Sequence, residues 1–467
     1  MDKIYDYLVI GSGPSALAFL TSEKLKRYSV CLVDSSIRYK STYEKHLSES
    51  DLYDLHLGDK KSFYGQIEAT DYSMEIDDVD GLTVSNSFML GGLSNVWGGA
   101  TEVFNKNVLK KMGIFHDLKN SQQEMTNLLK VRKESLTENS LIKDIYTKIA
   151  KECISIKPVR SKLAINSECV KCGSCMYGCV YGAIFNSKHE YDRLAASYNR
   201  MDGYFAEKII TGQNFNVVKL VHINSLRKYE VRAKKIVIAC GPINTARLIL
   251  RSFDQVESIR IADSQSFYIP MLSKKLANIF RKQKKDSTEL SKFYLKSKVG
   301  SDLVHGQIYT FGPFLRNHVR KILGIRFLPK IFFANALLYQ GFLSSEKSSS
   351  GKMIRSGTQK IIFKVDQRYD KDFLRLVISN IKMNFKKAGV ITFSLFKKIV
   401  PIYGAYHFGA IQVARNGKNF RPDPSNGTIE GLPGIHLVDA SVFHYLPSGP
   451  LTQVTMANSR YIADNIL

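Results

Sequence analysis

The sequence is short of acid. Against 67 lysines and arginines it sets 42 aspartates and glutamates, a formal net charge of +25 over 467 residues. It also lacks an apolar run that could cross a bilayer. Its best candidate, IFFANALLYQGFL from Ile331 to Leu343, stops short of the roughly 18 residues a spanning helix needs. No charged leader precedes the strand-like start MDKIYDYLVIG, so no signal peptide is expected and the expected location is the cytoplasm, where thiols stay reduced. The basic runs carry no zinc-finger spacing, base-stacking signature or basic-region helix, so nucleic acid is not an expected partner. What the positive charge does fit is a solvated basic face. KKLANIFRKQKK (Lys274–Lys285), with Leu276, Ile279 and Phe280 forming an apolar stripe, adds a second option: peripheral contact with the inner membrane surface or an acidic glycan.

What is present is ordinary for a folded enzyme-sized chain. Hydrophobic residues make up 44% and charged residues 23%, and the length implies two intimately joined domains. The run Tyr7–Ile10 reads as a short buried strand, followed by Gly11-Ser-Gly13-Pro-Ser15-Ala16 and a helix-compatible stretch through Leu20. A second strand, Ser29 to Val33, ends at Asp34. This is G-x-G-x-x-A between strand and helix, with an acid about twenty residues on. Gly11 permits the tight turn, Gly13 lets backbone approach a pyrophosphate, and Ala16 lets helix pack on strand. Asp34 can accept ribose hydroxyls, and an acid there argues against a 2′-phosphate. A second fingerprint of this kind is missing: the buried run Lys235–Gly241, with Cys240 and Gly241 at its end, leads into no further glycine motif. One dinucleotide site is expected.

Three further blocks follow in order: Gly91-Gly92-Leu-Ser94-Asn95-Val96-Trp-Gly98-Gly99-Ala100, then IVIACGPINTARLIL (Ile236–Leu250), then GLPGIHLVDASVFHYLPSGPLTQVTMANSRYIADNI near the C-terminus. With the N-terminal fingerprint, this order resembles the glucose–methanol–choline (GMC) family of FAD oxidoreductases; about 110–235 and 263–400 match loosely or not at all. The resemblance implies an α/β chain, with a Rossmann-like FAD-binding domain built from discontinuous segments and an α+β substrate or cap domain. It implies that Ser94 and Asn95 lie near the flavin, and that Asp439, Ala440, Pro450, Leu451 and Thr452 belong to the cofactor-binding tail. Val96 stands where some relatives carry a histidine bonded covalently to flavin, so non-covalent FAD is expected.

Moving hydride from a carbinol carbon to flavin also requires a base for the hydroxyl proton, and imidazole titrates in the right range. The resemblance points to His407 in GAYHFGAIQ as that base, with Ala410 and Ile411 at positions usually Gly and Thr. The family's second active-site residue, His or Asn, corresponds to Pro450, which has no side chain able to donate or accept. His444, on the neighbouring turn, is the expected helper.

Four of the seven cysteines (Cys169, Cys172, Cys175 and Cys179) fall in CVKCGSCMYGC, the C-x2-C-x2-C-x3-C spacing of bacterial ferredoxins. Soft thiolates this close suit a 4Fe–4S or 3Fe–4S cluster better than zinc. Val180 replaces the ferredoxin proline, and Cys153 is read as a core residue. Some GMC members carry a similar Cys-rich segment, so a cluster passing electrons out of the flavin one at a time is expected here, or else a reduced metal-free loop.

The expected domains are 1–110, 200–262 and 430–467 for FAD, with 111–199 and 263–429 forming the cap. Within them, VVKLVHINSLRKYEVRAKKIVIA reads as a hairpin running into a buried strand, and FYIPML, HGQIYTF and KIIFKV read as strands. Asp370 to Lys387 reads as a helix ended by Gly389, and SSEKSSSGK (344–352) as a mobile loop. The expected function is an FAD-dependent alcohol dehydrogenase acting on a carbohydrate or glycan-like small molecule, passing electrons to a quinone or redox protein. The rivals are a flavin/iron–sulfur electron-transfer or redox-sensing protein, and a basic membrane- or polymer-binding scaffold with a vestigial flavin fold.

Overall fold

The buried half of the first strand sets the first layer. In the computed structural model, which describes residues 3–36, 75–76, 87–134, 140–153, 155–171, 175, 179, 181–274, 290–312, 316, 333, 335–356, 360–393, 398–399 and 409–467, Ile4–Ile10 forms the strand whose last four residues are buried. It pairs in parallel with Val30–Asp34 on one side and with Lys228–Ile238 on the other. Asn199–Asp202 extends the sheet beyond Val30–Asp34, and Ile435–Leu437 adds in parallel to the end of Lys228–Ile238. The expected hairpin is present: Asn216–His222 pairs antiparallel with the start of Lys228–Ile238, and Tyr204–Ile210 forms the outer edge. Strands buried on both faces read as unbroken Val/Ile/Leu runs, which is why this layer is visible in the sequence.

The two ends of the chain close on this sheet. The helices Pro14–Leu20 and Thr452–Ile466 pack against each other. Ser459 Oγ donates to the Ser15 carbonyl (2.8 Å), Arg460 Nη1 to the Thr21 carbonyl (3.1 Å), and Tyr7 Oη to the Ile466 carbonyl (2.7 Å).

A six-stranded sheet forms the second layer: Lys418–Phe420, Gly409–Arg415, Val256–Ala262, Ser350–Ser356, Lys360–Gln367 and Glu75–Ile76. It departs from the expected boundary at 262/263. Val256–Ala262 pairs with Ser350–Ser356 and Gly409–Arg415 rather than with the first sheet. The helix Pro242–Ser252 lies between the two sheets, so that Ile259, Ile261, Met353, Phe363, Ile411 and Val413 share one apolar core with Leu8, Ile10 and Ile238. A helix buried on most of its surface needs cover on both sides, and residues far along the chain supply it.

The third layer is a seven-stranded antiparallel sheet. Its main path runs Val390–Thr392, Ser266–Ser273, Ala336–Phe342, Asp302–Thr310, Phe293–Val299 and Ile156–Arg160, and Lys398–Ile399 pairs with Ser266–Ser273. One face is covered by the helix Lys371–Lys387, which buries Phe373, Leu374, Val377, Ile378, Ile381 and Phe385 at helical spacing. Asp370 caps it by accepting from the Phe373 amide (2.8 Å), and Gly389 closes it at φ +73°. The helix thus sits where its sequence signals place it. The apolar candidate of Ile331–Leu343 becomes the central strand Ala336–Phe342, and no helix among the described residues is long and apolar enough to cross a membrane.

The SSEKSSSGK segment is not a loose loop. Ser344, Ser348, Ser349 and Ser350 are buried. Ser348 Oγ donates to the Leu343 carbonyl (3.2 Å), and Ser345 Oγ accepts from the Leu446 amide (2.9 Å). Short hydroxyls satisfy buried backbone groups, so a serine-rich stretch can lie inside the protein. The basic run Lys274–Lys285 and a second one, Arg316–Arg326, lie outside the described residues except for Lys274 and Arg316.

Candidate active site

Four parallel strands end at one edge of the first sheet, and the sequence motifs gather there. The Gly11 amide donates to the Val33 carbonyl, the Ala239 amide to the Ile10 carbonyl, and the Val438 amide to the Ile238 carbonyl, each within 3.0 Å. Gly11, Asp34, Cys240–Gly241 and Asp439–Ala440 therefore line one crevice outside the carboxyl ends of the strands, the usual ligand position in such sheets. Gly11 has φ +110°, and a Cβ there would lie 2.5 Å from the Ala239 carbonyl oxygen. Gly13 differs: it precedes the first helix in extended conformation, and a Cβ would meet no atom within 4 Å. Gly241, at φ +78° before the helix Pro242–Ser252, faces open space in the same way. Ser15 and Ala16 are buried in the helix after Gly13.

Two buried carboxylates anchor the crevice. Burial pushes Asp34 up to about 6, although it accepts from the Ser36 amide (2.6 Å) and Ser36 Oγ (3.0 Å). Burial likewise raises Asp439, whose oxygens accept from Thr245 Oγ1 (2.6 Å) and the Ser441 amide (2.9 Å). Burial raises the Cys240 thiol strongly, and its Sγ donates to the Ile10 carbonyl (3.5 Å).

The Gly91–Ala100 block lies on the first glycine turn. Ser12 Oγ accepts from the Gly91 amide (2.8 Å), and a Cβ on Gly92 would come within 3.5 Å of Gly13 Cα. Gly98 is half-buried in the same loop, and Val96 is buried. Ser94 and Asn95 both bond within the loop. Ser94 Oγ donates to the Gly91 carbonyl (2.7 Å), and Asn95 Nδ2 to the Leu90 and Gly92 carbonyls (2.9 and 2.7 Å). They hold the loop rather than reach out of it. Asn186 and Ser187, which the sequence analysis missed, complete this staple. Asn186 Nδ2 donates to Asn95 Oδ1 (2.8 Å), and Ser187 Oγ to the Gly91 carbonyl (2.9 Å) and the Ser12 carbonyl (3.1 Å). Only the helix-capping pattern of Asn186 marked them.

The tail block then turns toward the third sheet. Ser264 Oγ donates to the Pro447 carbonyl (3.1 Å), Ser448 Oγ accepts from the His305 amide (2.7 Å), and Pro450 and Leu451 are buried before the helix that starts at Thr452. His444 points elsewhere. Its Nε2–H donates to the Pro422 carbonyl (2.8 Å), and the ring fills the space beside Gly113. This imidazole is tied to backbone rather than aimed at the tail turn. His407 lies outside the described residues; the chain resumes at Gly409, packed so tightly on Ala440 that a Cβ would lie 2.6 Å from its carbonyl oxygen.

Of the four clustered cysteines, Cys172 lies outside the described residues. Cys175 is buried in a small apolar core with Ile165, Ala183 and Ile184, and Cys169, Cys179 and Trp97 pack against it. Among the described residues no group of three or more His, Cys, Asp or Glu side chains could hold a metal ion. The cluster expectation thus finds no ligand set there. Cys153 is buried as expected, its Sγ directed at the Asn384 carbonyl (3.5 Å).

Comparison with known proteins bears on the whole arrangement. The GMC oxidoreductase family model matches residues 105–254, largely the stretch that the sequence blocks left loosely assigned. The structure is similar to that of pyridoxine 4-oxidase from Mesorbium loti, with a TM-score of 0.59 and 10% identity over 98% of each chain; at that identity the likeness is one of fold. No curated protein matches the sequence. The family match spans about a third of the chain, and the likeness of fold spans nearly all of it.

The cofactor that the resemblance to this family implies is FAD. The crevice fits that cofactor. Open space at Gly13 and Gly241 admits a pyrophosphate beside backbone amides, and Asp34 offers a buried carboxylate to ribose hydroxyls.

Proposed function

We propose that this protein is a GMC-type oxidoreductase, an FAD-dependent alcohol dehydrogenase for a polyhydroxylated, carbohydrate-like small molecule. In this reading FAD supplies two-electron oxidising power, and the protein holds it through Gly11, Gly13, Asp34, Gly241 and Asp439. His407 takes the substrate hydroxyl proton, and a quinone or redox protein accepts the electrons afterwards. The observation that carries the reading is the seating of Gly409 on Ala440. It ties the segment two residues beyond His407 to the Asp439–Ala440 cofactor block.

The chemistry asks three things of the chain: exclude water, orient the carbinol carbon, and hold a proton near neutral pH. The buried turn Pro447–Leu451 and the third sheet serve the first two, and an imidazole serves the third. The deciding experiment replaces His407 with Ala and follows anaerobic bleaching of bound flavin by glucose, sorbitol and benzyl alcohol. The reading expects a fall of roughly 10²-fold or more in the reduction rate with FAD content unchanged; an unchanged rate would remove His407 from the role.

A second reading has one observation in its favour. Trp97 belongs to the loop that rests on the glycine turn, and it packs on the same small core as Cys169, Cys175 and Cys179. Iron and acid-labile sulfide assayed on anaerobically purified protein test the iron–sulfur reading: about three or four irons per flavin support it, and values near zero contradict it.

A further inference from the structure

Two helices cover the third sheet, and their outer side is strongly basic. The helix Lys371–Lys387 and the earlier helix Ser140–Glu152 pack against each other and share one apolar core with that sheet. Ile142, Ile145 and Ile149 point into it from one helix, and Val377, Ile381 and Phe385 from the other. On the opposite side the Ser140–Glu152 helix exposes Lys143 and Lys151, with Lys148 half-buried between them. The Lys371–Lys387 helix exposes Lys371, Arg375, Lys382, Lys386 and Lys387. Against these eight basic groups stand three acids, Asp144, Glu152 and Asp372, within 30 residues. That is a far denser excess than +25 spread over 467. Lys274 joins the same surface: its amide donates to the Gly389 carbonyl (2.9 Å), and Lys148 Nζ stands 3.7 Å from where a Cβ on Gly389 would lie.

Most of this charge is not neutralised within the protein. Arg375 pairs with Asp372 (2.6 Å), but none of the seven helix lysines makes an ion pair among the described residues. A helix C-terminus attracts cations, which accounts for Lys386 and Lys387 but not for Lys143, Lys371 or Lys382. Two apolar side chains stand among the lysines. Leu376 is 61% exposed and Met383 53%, two helical turns apart and so on one stripe of the helix.

We infer that the outer side of these two helices is a docking surface for an anionic lipid bilayer. The kind of cation decides the partner. Protein–protein interfaces are enriched in arginine, whose planar fork fits carboxylates, and depleted in lysine. Here the arginine is already engaged and the unpaired charge is all lysine, a flexible stem carrying a hydrated point charge. Lysines surrounding exposed leucine and methionine form the composition that settles on anionic headgroups, with the apolar side chains entering the acyl boundary. The inference stands apart from the choice of alcohol and from the flavin chemistry. A bilayer is also where a lipid-soluble quinone is met.

The test sediments the FAD-loaded protein with vesicles of phosphatidylcholine alone, or of phosphatidylcholine with phosphatidylglycerol, at low and high salt. Wild type should bind the anionic vesicles, come off as salt rises, and leave the neutral ones alone. Lys382→Glu combined with Lys386→Glu should weaken binding by about tenfold or more. Arg227→Glu combined with Lys228→Glu makes the same change in net charge on the exposed hairpin of the first sheet, and should leave binding near wild type. Leu376→Ser combined with Met383→Ser keeps every charge and should still weaken binding, with FAD content unchanged throughout. Absence of binding by wild type, equal loss in the two charge variants, or binding untouched by either helix variant overturns the inference. Capture on polyglutamate beads without binding to vesicles would assign the surface to an acidic protein, and overturns it too.

Discussion

Adding a methyl group to Gly11 and a larger side chain to Gly13, two residues apart, should produce opposite defects. At Gly11, φ +110° disfavours any L side chain, and a Cβ would press to 2.5 Å from the Ala239 carbonyl oxygen and 2.9 Å from its carbon. Strain of about 1–2 kcal/mol from the backbone and about 1–3 kcal/mol from overpacking gives about 3 kcal/mol for Gly11→Ala, felt by apoprotein and holoprotein alike. At Gly13 the backbone is at φ −66° and ψ 179° and the space is open, so Gly13→Val costs the apo fold little. Loss of unfolded-state freedom even favours the variant by about 0.4–1 kcal/mol. Its isopropyl group stands instead where the cofactor's phosphates approach. The assay is paired: thermal melting of each apoprotein, and FAD retained per chain after gel filtration. Gly11→Ala should melt several degrees lower, while Gly13→Val should melt like wild type and lose its yellow colour. A Gly13→Val protein that keeps full FAD with wild-type affinity would refute the reasoning that the space beside Gly13 belongs to the ligand.

Other expectations follow from the same site. The Asp34 carboxyl stands at about 6 in the apo fold against about 3.9 unfolded, so the native state holds more protons between those values. Stability of the apoprotein should fall as pH rises from about 4 to 6, by about 3 kcal/mol, and Asp34→Asn should flatten that slope in denaturant titrations. FAD affinity should move the other way, strengthening as pH rises through about 6, because ribose hydroxyls donate best to the ionised carboxylate; equal affinity at pH 5 and pH 7 would contradict the assignment. Thr245→Val removes the donor to buried Asp439 and should destabilise the protein by about 1–3 kcal/mol, read as a shift in denaturant midpoint. Gly351→Ala places a Cβ within 1.9 Å of Phe363 Cζ, and should lower the melting temperature without altering the cofactor spectrum.

The sequence carried the first sheet and the helix Lys371–Lys387 plainly, because both announce themselves locally. Unbroken runs such as Val30–Val33 and Ile236–Ile238 have one use, a strand buried on both faces. Asp370 and Gly389 bracket an apolar stripe at helical spacing. The glycine turn, Asp34 and Asp439 were legible for the same reason, since each sits at a strand end. What stayed hidden depends on partners far along the chain. Ser344–Ser350 reads as a loop until the Leu446 and Leu343 backbones arrive to use its hydroxyls. Nothing local to Ser94 and Asn95 announces that Asn186 and Ser187 engage them. Val256–Ala262 gave no local sign of leaving the first sheet, because its alternation suits either one.

The closing of both chain ends around one flavin is tested most directly by releasing whatever the purified protein holds. Heat denaturation, followed by chromatography and mass spectrometry of the supernatant, should yield about one FAD per chain, freed without proteolysis because Val96 offers no covalent attachment. A colourless preparation, or one that releases a pyridine nucleotide in its place, would contradict the account.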